Sequence, residues 1–291
     1  VNGHGSGFYG ALLLDREGVF GRVEGMPSIE QNLEGWNQTC PWTEHGDEWS
    51  GAFGNTEAMW WFALLPRLHR YVPADSILEI APGHGRWTQY LRFLCKSLVI
   101  VDLSENCIAA CRKRFENASN ITYMVNDGLS FDTVPDNSLD LIFSFDSLVH
   151  CEKDVIAAYL KETVRTLKPD GVGFFHHSNI GVYRRLLDIF NALPSSYLKR
   201  AFSRLVSLNC LGWRAPSMSA VTFRELCEDA NLDCISQELI NWSKGRCMID
   251  AISVCTPRGS KWSRQCEALM NPRFVEAASN INRLSRLYSR P

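Results

Sequence analysis

Between residues 76 and 178 short apolar runs alternate with amphipathic stretches. The runs ILEIA (77–81), SLVIVDL (97–103), ITYMVND (121–127), SLDLIFSFD (138–146) and GVGFFHHS (171–178) have the length and apolar content of strands buried on both faces. Between them lie GRWTQYLRFLCK, SENCIAACRKRF and EKDVIAAYLKETVRTL, the last with Val155, Tyr159, Val164 and Leu167 on roughly one helical face. Such alternation predicts a doubly wound α/β domain, a mostly parallel sheet with helices on both faces. The turn KPDG supplies Pro and Gly where a helix must stop before the fifth strand. Two further runs, CISQELINW (234–242) and MIDAISVCT (248–256), bring the expected strands to seven.

Three additions surround this core. Residues 1–54 are rich in Gly, Trp and acids without sustained periodicity, and are expected to form an N-terminal arm lying on a central domain of residues 55–257. TEAMWWFALLPRLHRYV (56–72) has helical spacing, with Pro66 placed to kink or split it. Residues 181–219 read as two helices broken at Pro194, inserted at the carboxyl end of a central strand. Ligands bind at that edge of open α/β sheets, so the insertion is expected to act as a lid, with Gly181 as its hinge. The core then resumes with a helix opened by a capping box at Thr222 and Glu225, and residues 258–291 form a polar, amphipathic helical tail.

Charge narrows the partners. With 30 basic against 32 acidic residues in 291, the chain has no basic excess of the kind a long polyanion attracts, and the expectation is no nucleic acid. No apolar run has membrane-spanning length, and VNGHGSGFYG lacks the charged start and apolar middle of a signal peptide, so no membrane and a cytoplasmic location are expected. Eleven cysteines scattered through apolar segments without a CxxC pair read as buried thiols in a reducing compartment. Cys107 and Cys111, one helical turn apart, are assigned to packing rather than to a metal.

The chemistry concentrates at ILEIAPGHGRWTQYL (77–91), where an apolar run ends in an acid and two glycines flank His84 before a helical stretch. Glycines there let backbone approach a ligand over a helix N-terminus. A dinucleotide fingerprint wants a third Gly or Ala three residues on, and that position is Thr88. Taken with VDLS (101–104), NDG (126–128), FSFDSLVH (143–150) and the final strand pair, the segment 56–257 resembles the class I S-adenosylmethionine-dependent methyltransferases. Adding GDEWSGAFG and FFHHSN, it is similar to bacterial enzymes of sugar and polysaccharide methylation.

The resemblance implies a Rossmann-like fold whose last strand is antiparallel, and S-adenosylmethionine as cofactor. It implies that Glu79 and the backbone of Gly83 and Gly85 border the amino-acid end of the cofactor, while Asp102, with Leu103 beside it, accepts from both ribose hydroxyls. Asp127 and Gly128 would bracket the adenine, and Phe145 would lie near the methionine portion. An oxygen-rich turn acid or helix cap is the plainer reading of Asp102, with Ser104 able to cap the following helix.

Methyl transfer to a hydroxyl needs alignment and a base, and histidine suits the second task. His150, just beyond the fourth strand, is the leading candidate, followed by His177. His176 and His177, adjacent in a strand, cannot both face one site. His84 is assigned a backbone role. A divalent ion held by Asp146, His150, His177 and Asp250 is the alternative use of the same residues. Trp36, Trp42 and Trp49 are placed to stack on a sugar or cover the cofactor, or simply to staple the arm down. The expected acceptor is a small molecule or glycan hydroxyl, and a homo-oligomer stays open. N-methylation of a small amine and a non-catalytic cofactor-binding scaffold are the alternatives.

Overall fold

The structure, a computed structural model, describes residues 28–39, 42–206, 214–242 and 247–288. Residues 1–27 of the arm and 207–213 of the insertion lie outside them.

Eight strands form one sheet: β1 (Ala74–Ile80), β2 (Cys95–Asp102), β3 (Ile121–Val125), β4 (Leu139–Ser144), β5 (Leu167–Ser178), β6 (Leu232–Ile240), β7 (Asp250–Pro257) and β8 (Glu267–Asn271). Their order is β3-β2-β1-β4-β5-β7-β6-β8. Strands β1 to β5 are parallel, and β7 runs antiparallel between β5 and β6. All seven expected strands are present within a few residues of their predicted limits. The eighth, β8, falls in the segment read as helical tail and pairs parallel to β6.

The longer helices are α1 (Ile29–Glu34), α2 (Glu105–Arg114), α3 (Lys153–Thr166), α4 (Arg184–Ala192), α5 (Ser196–Val206), α6 (Ala220–Asp229) and α7 (Phe274–Ser285). In α3 the buried face is Ile156, Tyr159, Leu160 and Thr163, at spacings of three and four; of the predicted stripe Tyr159 is buried in the helix and Leu167 just beyond its end, while Val155 and Val164 are half-buried. α6 starts earlier than expected. Ser219 caps it by accepting from Thr222 N–H, which makes Thr222 its third residue instead of its cap. The stretch 56–68 is helical but widens to a π-turn over Trp60–Leu64 just before Pro66, a local answer to the donor that proline lacks. GRWTQYLRFLCK keeps only one helical turn, Thr88–Leu91.

Two apolar clusters fill the two faces of the sheet. One joins Ile77, Leu141, Phe143 and Phe174 to the 56–68 segment and Phe274 of α7; the other packs α3 and α6 on Leu78, Ile142 and Phe175. The insertion has a small cluster of its own, Ile180, Leu187, Phe190, Cys247 and Ile249. The nine cysteines among the described residues are free thiols. No helix among those residues is long and apolar enough to cross a membrane.

Candidate functional site

β1 lies between β2 and β4, and its carboxyl end opens into a cavity of about 410 Å³. Three segments make its floor: 81–87 after β1, 101–103 at the end of β2 and 145–150 after β4. Carboxyl ends of parallel strands are where such sheets collect ligands, because chain direction changes there and loop backbone is free to bind.

In the first loop Gly83 has φ +58, and a Cβ there would fall 2.6 Å from the Trp42 ring. Only glycine lets the arm approach so closely. Gly83 N–H donates to Asp102 Oδ2 at 3.1 Å, and Ser104 N–H donates to Oδ1 at 2.8 Å. The turn-acid reading of Asp102 therefore holds, and its carboxylate still has lone pairs to offer a ligand. Burial pushes its pKa up to about 6, against those two hydrogen bonds. Ser104 Oγ caps α2 through Cys107 N–H, as expected.

The cavity walls bring together Trp49, Gly83, Asp102, Leu103, Gly128, Phe145 and His150. Four other predicted residues lie elsewhere. Glu79 is fully buried behind the loop, where Thr88 Oγ–H donates to Oε2 at 2.6 Å and Oε1 has no partner. Desolvation raises its pKa to about 8. Thr88, the residue that spoils the dinucleotide fingerprint, thus ties the helical turn to β1. Gly85 serves packing: at φ +85, a Cβ would meet Phe115 at 2.4 Å.

Asp127 lies beside the cavity, not in its walls: next to the lining residue Gly128, its Oδ1 accepts from Leu129 N–H, Ser130 N–H and Ser130 Oγ–H in an exposed turn. His177 needs correction. Its ring stacks on Phe223 at 4.3 Å, its Nδ1–H donates to Ser178 O, and its Nε2 accepts from Ser253 Oγ–H. Strand alternation turns it to the sheet face away from the cavity, and burial lowers its pKa to about 4. His176 takes the other face, stacking on Phe145 at 4.3 Å and accepting from Asp146 N–H at Nδ1.

The four residues proposed for a metal do not converge. Asp146 pairs with Arg86 at 2.7 Å, Asp250 is clasped by Arg214 at 2.7 and 2.9 Å, and His177 faces away. Among the described residues no group of three His, Cys, Asp or Glu side chains gathers as a metal requires.

The roof comes from the arm. α1, opened by a reciprocal capping box between Ser28 and Gln31, sets Ile29 and Asn32 on the cavity. Trp36, Trp42 and Trp49 form a cluster with ring centroids 4.9 to 5.9 Å apart, and Trp36 also meets the His150 ring at 5.8 Å. Trp42 stacks on His84 at 4.1 Å and 8°. His84 thus anchors the arm with its side chain, a role its loop position did not suggest. Ser104 Oγ–H to Asn37 Oδ1, and Gln89 and Arg114 to Asp47, complete the docking. The described part of the insertion contributes no wall. Gly181 is no loose hinge either, since its N–H donates to Met218 O at 2.9 Å and a Cβ would sit 2.6 Å from that oxygen.

Sequence reasoning missed Arg86, Trp87, Cys107 and Tyr159 as cavity residues. Arg86 alone carried a signal, following the second glycine directly.

Sheet order, glycine loop and an acid ending β2 define a class I S-adenosylmethionine-dependent methyltransferase fold. The cleft fits that cofactor, offering a carboxylate for ribose hydroxyls and aromatic faces for a sulfonium cation. The comparisons agree. Residues 77–171 match the family model of a methyltransferase domain. A ribosomal RNA small subunit methyltransferase A of Coxiella burnetii is 31% identical over 123 residues, 37% of this chain and 47% of that protein, so the match spans about half the relative's length. Among solved structures, a Leishmania major S-adenosylmethionine-dependent methyltransferase aligns with a TM-score of 0.54 at 12% identity, over 78% of this chain and 82% of its own. A Pyrococcus horikoshii protein aligns with a TM-score of 0.53 at 19% identity, over 77% and 98%. These two likenesses are of fold.

The exclusion of nucleic acid is overturned. Proteins named as ribosomal RNA small subunit methyltransferases are among the relatives this chain matches, at 31% identity over 123 residues and 32% over 108. Net charge sums over the whole surface, whereas a polyanion needs only one local face.

Proposed function

We propose that this protein transfers the methyl group of S-adenosylmethionine to a hydroxyl of a sugar or other polyhydroxylated small molecule, with His150 as the base. One observation carries the reading: Asp102 and His150 line the same cavity, beside Trp36. An alcohol must lose its proton as it attacks, and an imidazole within the same space as the donor is suited to take it. The tryptophan cluster supports a sugar acceptor, since ring faces accept sugar C–H surfaces. When bound, the cofactor supplies an electrophilic methyl. The chain supplies alignment, exclusion of water beneath the arm, and the proton acceptor.

A second reading, an RNA acceptor, is favoured by the Coxiella burnetii match. Tritiated S-adenosylmethionine offered separately with a panel of sugar nucleotides and with bulk ribosomal RNA distinguishes them. Label in the sugar fraction, lost in D102N, is the expected result. Label only in RNA replaces the first reading with the second, and label in neither, with no cofactor binding by calorimetry, removes both.

A further inference from the structure

Arg86 sits in the cavity wall with its side chain only 6% exposed. Its Nη2–H donates to Asp146 Oδ2 at 2.7 Å, and its guanidinium lies over the Trp87 and Trp49 rings at 4.6 and 5.4 Å. Its Nη1 is buried without any hydrogen-bond partner. A guanidinium is a rigid fork that favours bidentate capture of a carboxylate, and leaving one arm of it desolvated and unpaired is unfavourable. Asp146 is itself held at φ +68, a backbone position that non-glycine residues rarely take.

Sheet order says which end of a ligand meets this pair. Asp102 lies at the end of β2 and Asp146 just past β4, on opposite sides of β1. Neighbouring strands are about 4.8 Å apart, so the two positions are separated by roughly 10 Å. A cofactor whose ribose sits on Asp102 therefore extends its amino-acid end across β1 towards Arg86 and Asp146.

Resting on the cofactor reading above, we propose that Arg86 binds the α-carboxylate of S-adenosylmethionine through its unpaired Nη1–H, with Asp146 left to face the α-ammonium. A buried ion pair meeting a zwitterion keeps the net charge at zero, so neither partner faces an uncompensated charge in a dry site. Trp49 of the arm lies over the same guanidinium at 5.4 Å, which puts the arm beside the amino-acid end of the ligand.

The test compares two ligands in calorimetry on the full chain: S-adenosylhomocysteine, which carries the amino acid, and 5′-methylthioadenosine, which lacks it. R86Q is expected to weaken S-adenosylhomocysteine by about ten- to a hundredfold, the worth of a charge-assisted hydrogen bond, and to change 5′-methylthioadenosine by less than about twofold. Should R86Q fail to fold, R86K keeps the charge opposite Asp146 but not the fork, and the same ligand-selective loss is expected at about three- to tenfold. Equal losses for both ligands, or none, overturn the proposal while leaving the cofactor reading intact. Wild-type protein that binds neither ligand would instead remove the cofactor reading, and this inference with it.

Discussion

At the scale of single residues, burial sets the chemistry of the acids and histidines more than sequence spacing does. For His150 the expected result is that H150A keeps its affinity for S-adenosylhomocysteine and loses about a hundred- to ten-thousandfold in turnover, the usual worth of a positioned base. Single-turnover kinetics measures this, and a full-speed mutant would remove the assignment. Glu79 gives a pH prediction. Its carboxyl ordinarily titrates at 4.5 and is raised to about 8 in the fold, so between those values the folded state holds a proton that the unfolded state has released. Stability contributed by the protonated acid is complete below about 4.5 and is lost as pH rises through 8. Asp102, raised to about 6, adds a slope of the same sign over a narrower window, while His84 and His177, lowered to about 4, act in the opposite sense below pH 6.5. Thermal melts of the unliganded protein from pH 6.5 to 8.5 should therefore fall with pH, less steeply in E79Q. Parallel slopes in the two proteins would show that Glu79 titrates normally.

At the scale of elements, the cover over the cleft is the arm. Hydrogen exchange should slow at residues 28–37 and 42–54 when S-adenosylhomocysteine binds, because α1 and the tryptophan cluster form the roof. The lid proposed for 181–219 has a different signature: α4 and α5, packed on their own small core, would slow only when acceptor is added. Slowing at α4 and α5 with cofactor alone, and none in the arm, would reverse these roles. α1 and the Trp36 turn escape a periodicity search because they are short and fixed by side-chain contacts. The aromatic content of the arm was visible in the sequence, but not the pairing of Trp42 with His84 across 42 positions of chain.

At the scale of the whole molecule, the segment read as a tail completes the sheet. β8 covers the edge of β6, and α7 drives Phe274 into the main core, 1% exposed, against Phe53 and Trp242. Arg67 binds Glu238 of β6 with both arms and lies over the Phe274 ring at 4.9 Å. F274A is expected to cost about 3 to 5 kcal/mol, the range for emptying an aromatic site in a packed core. Urea unfolding measures it, and a change under 1 kcal/mol, roughly one methylene's worth, would mean that the tail is peripheral. EALMN has four exposed residues of five, so it carries no strand-like alternation of burial to read, and its pairing depends on an edge that exists only once β6 is in place.

The sequence by itself determined the alternation of strands and helices, the glycine loop and the acid at the end of β2. Those are local: apolar runs must be buried, glycine is favoured where φ is positive, and a strand's end is marked where its pattern stops. Tertiary structure decided which of two adjacent histidines faces the cleft, whether Asp127 turns inward or bonds its own backbone, and which segment makes the roof. It also decided that Arg86 and Asp146, sixty residues apart, meet as a buried pair. These outcomes depend on strand order and on partners distant in the chain, and no local pattern encodes the distance between loops that only the finished sheet brings together.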